Sequence, residues 1–294
     1  MEVFVTGGTG TIGSAVIKRL VADGASVIGL TRSEQASDAL RRKGASAYPG
    51  DLKVPEGWAE RAAACDAVVH AGATFDAEMA QVDRRAMQAL QKAAMLRQTK
   101  LRLVYTGGIW LFPAAGPQSP LLQTTAFSPV PAFKWAGEQV RSLLHAQNLN
   151  LSVIHPGLVC GPDAGPVFEM ARSAASGETF RTRAQPETRW PLVHVDDLAG
   201  LYAKVLAHSS FRVAVIAAPV AGAPVHDIAG SVSAACGLEV IVETMPTPDD
   251  ADPRVDWAAG YARSQVVNTN AAKRLSGWSA EHDTLQNLVG AICV

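Results

Sequence analysis

The sequence predicts an α/β protein built on a doubly wound parallel sheet, with a smaller C-terminal lobe. Short runs of consecutive apolar, often β-branched residues recur through the first half of the chain. Amphipathic segments of helical period separate these runs, and a glycine-rich stretch lies where the first run ends. Uninterrupted apolar runs are typical of strands covered on both faces, and their alternation with helices implies parallel strands joined by right-handed crossovers.

Seven segments are predicted to be strands of this sheet. They cover residues 3–6, 26–30, 45–48, 67–71, 101–105, 151–155 and 212–217. The third is the weakest, because it is short and ends before Pro49 and Gly50. The first helix follows the glycine-rich stretch, and Gly24 is placed to end it. A later helix is predicted to run to about residue 207, with Asp196 as its N-cap.

The bulk composition excludes several classes of partner. The chain has 294 residues, of which 48% are hydrophobic, and a formal net charge of −1. Since a nucleic-acid or membrane partner would require a basic surface, we expect neither. The four cysteines are widely spaced without a C-x-x-C pair, so we expect reduced thiols and no metal. No apolar run suits a secretory signal or a membrane span, which predicts a cytoplasmic protein. We also expect a monomer or homodimer.

The strongest motif is the stretch TGGTGTIG at residues 6–13, between the first predicted strand and the first predicted helix. Its glycines fit G-x-G-x-x-G from Gly8 and G-x-x-G-x-x-G from Gly7. Such glycines permit a tight turn, close approach of the backbone to a pyrophosphate and close helix–strand packing. The residues predicted to bind a dinucleotide here are Gly7, Thr9, Gly10, Thr11, Ile12 and Gly13.

The residues after the second strand indicate which dinucleotide is bound. NAD-binding proteins usually place an acid there, against the ribose hydroxyls, whereas this chain has Arg32 and Ser33 before the first acid, Glu34. A guanidinium can pair with a 2′-phosphate, which an acid would repel. The sequence therefore predicts NADP(H), with a solvated loop arginine as the alternative. Asp51 and Leu52 are expected near the adenine, although Asp51 equally suits a simple turn.

These motifs together resemble the extended and atypical short-chain dehydrogenase/reductase superfamily, which includes NAD-dependent epimerases and dehydratases. The matching segments are 6–13 (TGxxGxxG), 50–52 (GDL), 69–73 (VHAGA), 155–162 (HPGLVCGP, similar to RPGxVYGP), 193–199 (VHVDDLA) and 268–278 (the LGW region). The resemblance covers nearly the whole chain and implies a Rossmann fold. It also implies that the cofactor contacts Ala71, Gly72, Ala73, Thr106, Gly107, His155, Pro156, Gly157 and Leu158.

The catalytic triad of that superfamily is only partly present. The triad is a Ser or Thr, a Tyr, and a Lys four residues after the Tyr. Lys134 matches the lysine, with Glu138 four residues later as the family pattern requires. The tyrosine position then falls on Val130 and the serine position on Gly108. Since valine cannot transfer a proton, Lys134 is the one predicted catalytic residue, and it is also expected to contact the nicotinamide ribose.

The other candidate residues have structural alternatives. Thr106 is predicted to pack under the cofactor, and His155 and His194 end strands, where histidines are commonly structural. Four aromatic residues, Trp110, Phe112, Phe133 and Trp135, are expected around the substrate cleft. They are equally suited to stacking on a planar substrate and to packing in the core.

The predicted division of the chain gives residues 1–160 with 192–218 to the cofactor and residues 161–191 with 219–294 to a substrate-binding lobe. The predicted function is an atypical short-chain-type oxidoreductase that transfers a hydride between NADP(H) and a small-molecule substrate. The substrate would lie under the loop of residues 113–131. Two alternatives stay open: a redox-inactive NADP(H)-binding regulator, and an epimerase or lyase that uses the cofactor transiently.

Overall fold

The computed structural model of the protein describes residues 1–208 and 212–293. Its strands are β1 (Glu2–Thr6), β2 (Ser26–Thr31), β3 (Ser46–Pro49), β4 (Ala67–His70), β5 (Leu101–Thr106), β6 (Leu149–Pro156), β7 (Leu158–Cys160), β8 (Phe180–Thr182), β9 (Arg189–His194), β10 (Ala214–Ala217), β11 (Val220–Pro224) and β12 (Val242–Thr244).

Helices connect most of these strands. They are α1 (Thr11–Ala22), α2 (Glu34–Arg42), α3 (Ala59–Ala64), α4 (Met79–Ala94), α5 (Lys134–Leu144), α6 (Pro166–Ala175), α7 (Val195–Ala207), α8 (Val225–Cys236), α9 (Asn270–Ser276) and α10 (Leu285–Gly290). Among the described residues, no helix combines the length and the apolar character that crossing a membrane requires.

Seven strands form one sheet in the order β10-β6-β5-β4-β1-β2-β3. The pairings from β6 to β3 are parallel. Val153 N donates to Val213 O and Gly157 N to Ala217 O, a register that also makes β10 parallel to β6. The order leads outward from β1 on both sides, which confirms the predicted doubly wound sheet. The seven predicted strands are these seven, to within two residues at each end.

Burial explains why the apolar runs were readable as strands. β1 lies between β4 and β2, and its Val3, Phe4 and Val5 have no exposed surface. The weakly patterned β3 lies at one edge of this sheet, and none of its residues is fully buried, whereas β10 at the other edge buries three of its four residues. The weak pattern of β3 therefore follows from the exposure of its residues.

Two predicted helix boundaries can be compared with the structure. Gly24 does follow the end of α1, with φ +82°, and its N–H donates to Val21 O at 3.0 Å. The helix predicted to be capped by Asp196 begins one residue earlier, at Val195. Asp196 therefore lies inside the helix and the predicted N-cap is wrong; its own N–H is a first-turn donor and donates to His194 Nδ1 at 3.3 Å.

The described residues also form two small sheets, which the sequence pattern did not predict. In one, β9 pairs in parallel with β7 and antiparallel with β11. In the other, β12 pairs in parallel with β8. Three of these five strands have only three residues, too few to show a period of two.

The contacts between residues divide the chain into two compact units. The first comprises Met1–Gly107, Glu138–Ile154 and Ala199–Ala214, and the second comprises Gly108–Gly137, His155–Leu198 and Val215–Val294. The functional division proposed from the sequence, with residues 1–160 and 192–218 holding the cofactor, stays a prediction. Residues 209–211 and 294 of these ranges lie outside the described residues.

Candidate functional site

The glycine-rich stretch forms a tight turn between β1 and α1. Gly7 has φ +71°, and its carbonyl accepts the Gly10 N–H at 2.9 Å. A Cβ on Gly7 would lie 2.6 Å from Ala71 O, and a Cβ on Gly13 would lie 2.2 Å from Gly7 O. No side chain fits at either position without moving the backbone, so the turn itself requires these two glycines.

The start of α1 is suited to an anion. Gly10 is the N-cap and provides no side-chain hydrogen bond to the first turn. Thr9, Gly10 and Thr11 are exposed there. The first N–H groups of a helix have no intrahelical acceptor and carry a positive partial charge, so an exposed helix start without a side-chain cap can receive a phosphate.

The segment after β4 packs against this turn. Gly72 N donates to Thr6 Oγ1 at 3.3 Å. A Cβ on Gly72 would meet Gly7 N at 3.2 Å and the Leu52 side chain at 3.3 Å. The structure therefore brings together the glycine turn, Ala71, Gly72 and Leu52, all of which were predicted to lie around one cofactor.

Arg32 is exposed at the end of β2. The next residue, Ser33, is the N-cap of α2, and its Oγ accepts the Ala36 N–H at 3.2 Å. Glu34 pairs with Arg41 at 2.7 Å on the same helix. The nearest acid along the chain thus already has a cationic partner, while the Arg32 guanidinium lies at the surface where a 2′-phosphate was predicted.

Asp51 has the contacts of a turn residue. Its Oδ1 accepts the Lys53 N–H at 2.9 Å, and its carbonyl accepts Trp58 Nε1–H at 2.9 Å. Both bonds stabilise the backbone after β3, as expected for an aspartate two residues before the amide that it accepts. A contact from Asp51 to an adenine stays a prediction.

Thr106, at the end of β5, has a partner that the sequence did not reveal. Its Oγ1 lies 2.6 Å from Tyr202 Oη on α7, and Tyr202 is fully buried. Burial raises the pKa of the Tyr202 phenol above its ordinary value. The next residue, Gly107, donates its N–H to Ile154 O at 2.8 Å. The hydroxyl at position 106 is thus already engaged within the first unit.

In the second unit, Lys134 is exposed and begins α5. Val130, at the tyrosine position, is only 3% exposed, and its N–H donates to Trp110 O at 3.1 Å. At the serine position, Gly108 donates its N–H to His155 Nδ1 at 3.3 Å, and a Cβ on Gly108 would meet no atom within 4 Å. Space for a serine therefore exists at position 108, but the hydroxyl does not.

His155 is a packed, neutral histidine. The rings of Phe112 and Phe127 meet it edge-on, at centroid distances of 5.0 and 5.5 Å. Burial lowers the pKa of His155 to about 4, because an imidazolium would lose its hydration there. These contacts indicate that the main role of His155 is to support Gly108, whose N–H it accepts. Its predicted contact with the cofactor stays a prediction.

The residues after His155 are closely packed. Pro156, Gly157 and Leu158 are all buried. A Cβ on Gly157 would lie 2.5 Å from Pro191 O, so this position accepts only glycine without a backbone shift. Close packing alone therefore explains the glycine of this motif, and the cofactor contacts predicted for residues 156–158 stay predictions.

The predicted aromatic cluster is split in two. Trp110 lies near Phe133, Tyr261 and Trp257, at centroid distances of 5.9, 5.0 and 6.5 Å. Phe112 instead is fully buried and packs against the half-buried Phe127, at a centroid distance of 5.2 Å. Trp257 is 37% exposed, so the group around Trp110 reaches the surface, whereas Phe112 is a core residue.

The loop of residues 113–131 is fastened within the second unit. Gln265 Nε2 lies within 3.1 Å of the carbonyls of Ile109, Phe112 and Pro113. Arg263 Nη1 donates to Phe112 O and Ser128 O, both at 2.6 Å. Neither residue was predicted, because nothing in the local pattern near position 265 points to partners so far away along the chain.

Asp197 is a further residue that the sequence did not single out. Its carboxylate accepts the N–H groups of Glu281 and His282, at 2.8 and 3.0 Å, and lies 2.9 Å from His282 Nδ1. Its carbonyl accepts Trp278 Nε1–H at 2.9 Å. Ligand atoms of His194, Asp197 and His282 lie within 4.8 Å of one another. Both carboxylate oxygens already accept N–H groups, so the arrangement is a hydrogen-bonded clasp on the C-terminal segment.

Comparison with known proteins supports the assignment of this fold. The chain is 25% identical over 292 residues to an uncharacterized protein of Schizosaccharomyces pombe, covering 97% of each. It is 29% identical over 192 residues to the 4-hydroxy-2-methyl-3-oxo-4-farnesyl-3,4-dihydroquinoline-1-oxide ketoreductase of Stigmatella aurantiaca, covering 62% of this chain and 57% of that protein. The crystal structure of Thermus thermophilus UDP-glucose 4-epimerase in complex with NAD shares the fold, with a TM-score of 0.79, 22% identity and 99% coverage of both chains.

The family model of the NAD dependent epimerase/dehydratase family matches residues 3–217. The match includes the glycine turn, the segment after β4 and the lysine that begins α5. Because it covers more than half of the chain, the protein belongs to the NAD dependent epimerase/dehydratase family.

Proposed function

We propose that the protein is an atypical short-chain-type oxidoreductase that transfers a hydride between NADP(H) and a small organic metabolite. The observation that carries the proposal is the turn at the start of α1. Gly7 and Gly13 permit the tight turn, and Gly10 as the N-cap leaves the exposed helix start without a side-chain cap, which is the cradle that a pyrophosphate needs. Bound NADP(H) would supply the hydride donor or acceptor.

Different groups of residues are proposed to hold different parts of the cofactor. In this proposal the pyrophosphate is held by Gly7, Thr9, Gly10, Thr11, Ile12 and Gly13. Arg32 and Ser33 hold the 2′-phosphate, and Asp51 and Leu52 the adenine side. The remaining contacts come from Ala71, Gly72, Ala73, Thr106, Gly107, His155, Pro156, Gly157 and Leu158. The Thermus thermophilus epimerase structure contains NAD. The proposed preference for NADP(H) rests on the exposed Arg32 of this chain.

Lys134 is the proposed catalytic residue. It is the first residue of α5, whose first turn contains no acid. A cation at a helix N-terminus is electrostatically unfavourable by about 0.3–1 kcal/mol, so helix stability does not explain a lysine here. Its ammonium carries three donors, which suits contact with the ribose hydroxyls and delivery of a proton from Nζ. Val130 can do neither.

The class of substrate is supported by the Stigmatella relative, whose name describes a ketoreductase of a substituted dihydroquinoline. The exposed side of the Trp110 group provides aromatic surface in the second unit. We therefore favour a planar carbonyl compound over a nucleotide sugar. Enones, quinones and aromatic ketones are the compounds to test first.

The test is single-turnover oxidation of NADPH by the purified protein with such a panel. We expect Lys134→Ala to lower the rate by at least about 100-fold, in line with the loss of a general acid. Lys92→Ala is the matched control, because Lys92 is an exposed helical lysine remote in sequence from every proposed site residue. A Lys134→Ala protein that binds NADPH normally and reacts at the full rate would remove Lys134 from the site.

A redox-inactive regulator is the second candidate, favoured by the absence of a hydroxyl at positions 108 and 130. Under that function the unmutated protein binds NADPH but oxidises none of it with any compound of the panel. Lys134→Ala then changes only the affinity for NADPH. The two candidates thus give different results for the unmutated protein.

A further inference from the structure

Behind the glycine turn, a chain of hydrogen bonds connects Gly72 to a buried carboxylate on α4. Gly72 N donates to Thr6 Oγ1 at 3.3 Å, and Thr6 Oγ1 lies 3.0 Å from His70 Nδ1. His70 Nε2 lies 3.1 Å from Asp83 Oδ2. The side-chain members, Thr6, His70 and Asp83, are 0%, 2% and 7% exposed. All four residues belong to the first unit.

The donors and acceptors along this series of hydrogen bonds have one internally consistent arrangement. An ionised carboxylate only accepts, so His70 Nε2 must donate to Asp83. In the neutral imidazole Nδ1 then accepts, and the donor that it receives is the Thr6 hydroxyl. The Thr6 oxygen is left with lone pairs for the Gly72 N–H. If His70 instead carried its proton on Nδ1, both Nδ1 and the Gly72 N–H would donate to Thr6 Oγ1. The Thr6 hydroxyl proton would then have no acceptor among these residues.

We propose that Asp83 and His70 are positioning residues for dinucleotide binding. They fix the direction of the Thr6 hydroxyl and thereby hold the backbone of residues 71–73 against Gly7. This inference rests on the proposed function of the glycine turn. Neither side chain has enough exposed surface to touch a ligand, so both act through the backbone that Thr6 holds.

The carboxylate is costly at this place, which indicates that it has a role. Tyr105 Oη also donates to Asp83 Oδ2, at 3.0 Å, but within the described part of the chain Oδ1 has no partner. A buried charged group with an unsatisfied oxygen is destabilising, and a packed apolar side chain at position 83 would avoid that cost. An apolar residue at position 83 could not orient the hydrogen bonds that run through His70 and Thr6 to Gly72.

Small movements of residues 71–73 would reach the turn directly. A Cβ on Gly7 would be 2.6 Å from Ala71 O and 2.7 Å from Gly72 Cα, so the two backbones are in contact without intervening side chains. When Thr6 no longer holds Gly72, the backbone of Ala71 and Gly72 can move more freely at the place where it packs against Gly7. The expected result is weaker binding of the dinucleotide without loss of the fold.

The experiment compares Asp83→Asn with Tyr105→Phe. Both variants change the hydrogen bonding of the same site, but only Asp83→Asn replaces the acceptor-only carboxylate with an amide, whose NH2 can donate to His70 Nε2 and so no longer fixes the direction of the hydrogen bonds. We expect Asp83→Asn to weaken NADPH binding about fivefold, as for loss of one oriented hydrogen bond, and to speed hydrogen exchange at the Gly72 amide. We expect Tyr105→Phe to leave both quantities within about twofold, whatever its effect on the thermal midpoint.

A second pair of variants decides the matter if Asp83→Asn does not fold. Thr6→Val removes the hydroxyl at nearly constant shape, and Thr6→Ser keeps it. We expect the valine variant to reproduce the weaker NADPH binding and the faster Gly72 exchange, and the serine variant to leave both as in the unmutated protein.

Two results would overturn the inference. One is unchanged NADPH affinity and Gly72 exchange in Asp83→Asn and Thr6→Val. The other is an equal loss of affinity in Tyr105→Phe, which would make the network structural only. If the unmutated protein binds neither NADPH nor NADH, the proposed function fails instead, and exchange at Gly72 still shows whether Asp83 controls that amide.

Discussion

The turn that follows β1 and the segments around Lys134 keep different parts of their family patterns. At the turn, Gly7 and Gly13 are both present, and the backbone geometry leaves no room for another residue at either position. In the second unit the lysine is present, but the serine and tyrosine positions hold Gly108 and Val130. Yet a Cβ on Gly108 would meet nothing within 4 Å.

The difference separates two kinds of constraint. The glycines of the turn are required by the fold of the chain itself, because a side chain would collide with the backbone of Ala71 and Gly72 or of the turn itself. The hydroxyls of the triad are required only by a particular proton transfer, and Gly108 shows that the fold has room for a side chain. The dinucleotide cradle can therefore persist while the chemistry beside it changes.

Gly13→Ala tests the backbone side of this comparison most severely. Its Cβ would lie 2.2 Å from Gly7 O, so the turn must open, and we expect affinity for NADPH to fall by at least about 100-fold. Gly57→Ala is the control, since a Cβ there meets no atom within 4 Å. Fluorescence titration measures both. Normal NADPH binding by Gly13→Ala would mean that the turn does not hold the cofactor.

Gln265→Leu tests how the second unit is held together. The side chain is 1% exposed, and its amide is shared among the carbonyls of Ile109, Phe112 and Pro113. Leaving these acceptors without a donor should lower the free energy of unfolding by about 2–3 kcal/mol, measured in urea. NADPH affinity should stay within about twofold. A stable Gln265→Leu protein would show that other contacts fasten the loop.

His155 gives the second unit a pH dependence. Its pKa is about 4 in the folded protein, against an ordinary value of 6.5, so the unfolded chain binds more protons between these values. Stability is therefore complete above pH 6.5 and falls as the pH drops towards 4. From pH 7 to pH 5 we expect a loss of about 2 kcal/mol in the free energy of unfolding.

The His155→Phe variant should lose that part of the pH dependence, because it keeps an aromatic ring and removes the titrating group. Replacing the exposed His145 by phenylalanine provides the control and should leave the slope unchanged. Urea unfolding at the two pH values measures all three proteins. A slope that survives in His155→Phe would assign it to other groups.

Arg32→Ala gives the smallest expected effect and sharpens the assignment of the cofactor. Loss of a charge-assisted contact should weaken NADPH about tenfold and leave NADH nearly unchanged. Arg42→Ala removes another exposed arginine, at the end of α2, and should alter neither affinity. Equal affinities of the unmutated protein for NADPH and NADH would contradict the preference for NADP(H).

The sequence predicted the parts of the molecule that depend on local pattern. Six of the seven strands of the large sheet were readable because burial makes each a nearly continuous apolar run, and the exposed edge strand β3 was the weakest of the seven. The glycines were readable because their role is set by neighbours along the chain. Tyr202, Gln265 and Asp197 were not, since each is a buried polar residue whose partner is chosen by the folded chain. The aromatic residues were grouped correctly only in part: Phe112 turned out to pack with His155 and Phe127.

The clasp at Asp197 has a consequence for the order of events during synthesis. The donors that satisfy its carboxylate come from residues 281 and 282, more than eighty positions later in the chain. Until those residues leave the ribosome, the start of α7 contains a charge that the finished protein buries. The second unit is therefore expected to mature late, and a chain interrupted before Trp278 would present chaperones and proteases with an incompletely closed unit rather than a shortened native one.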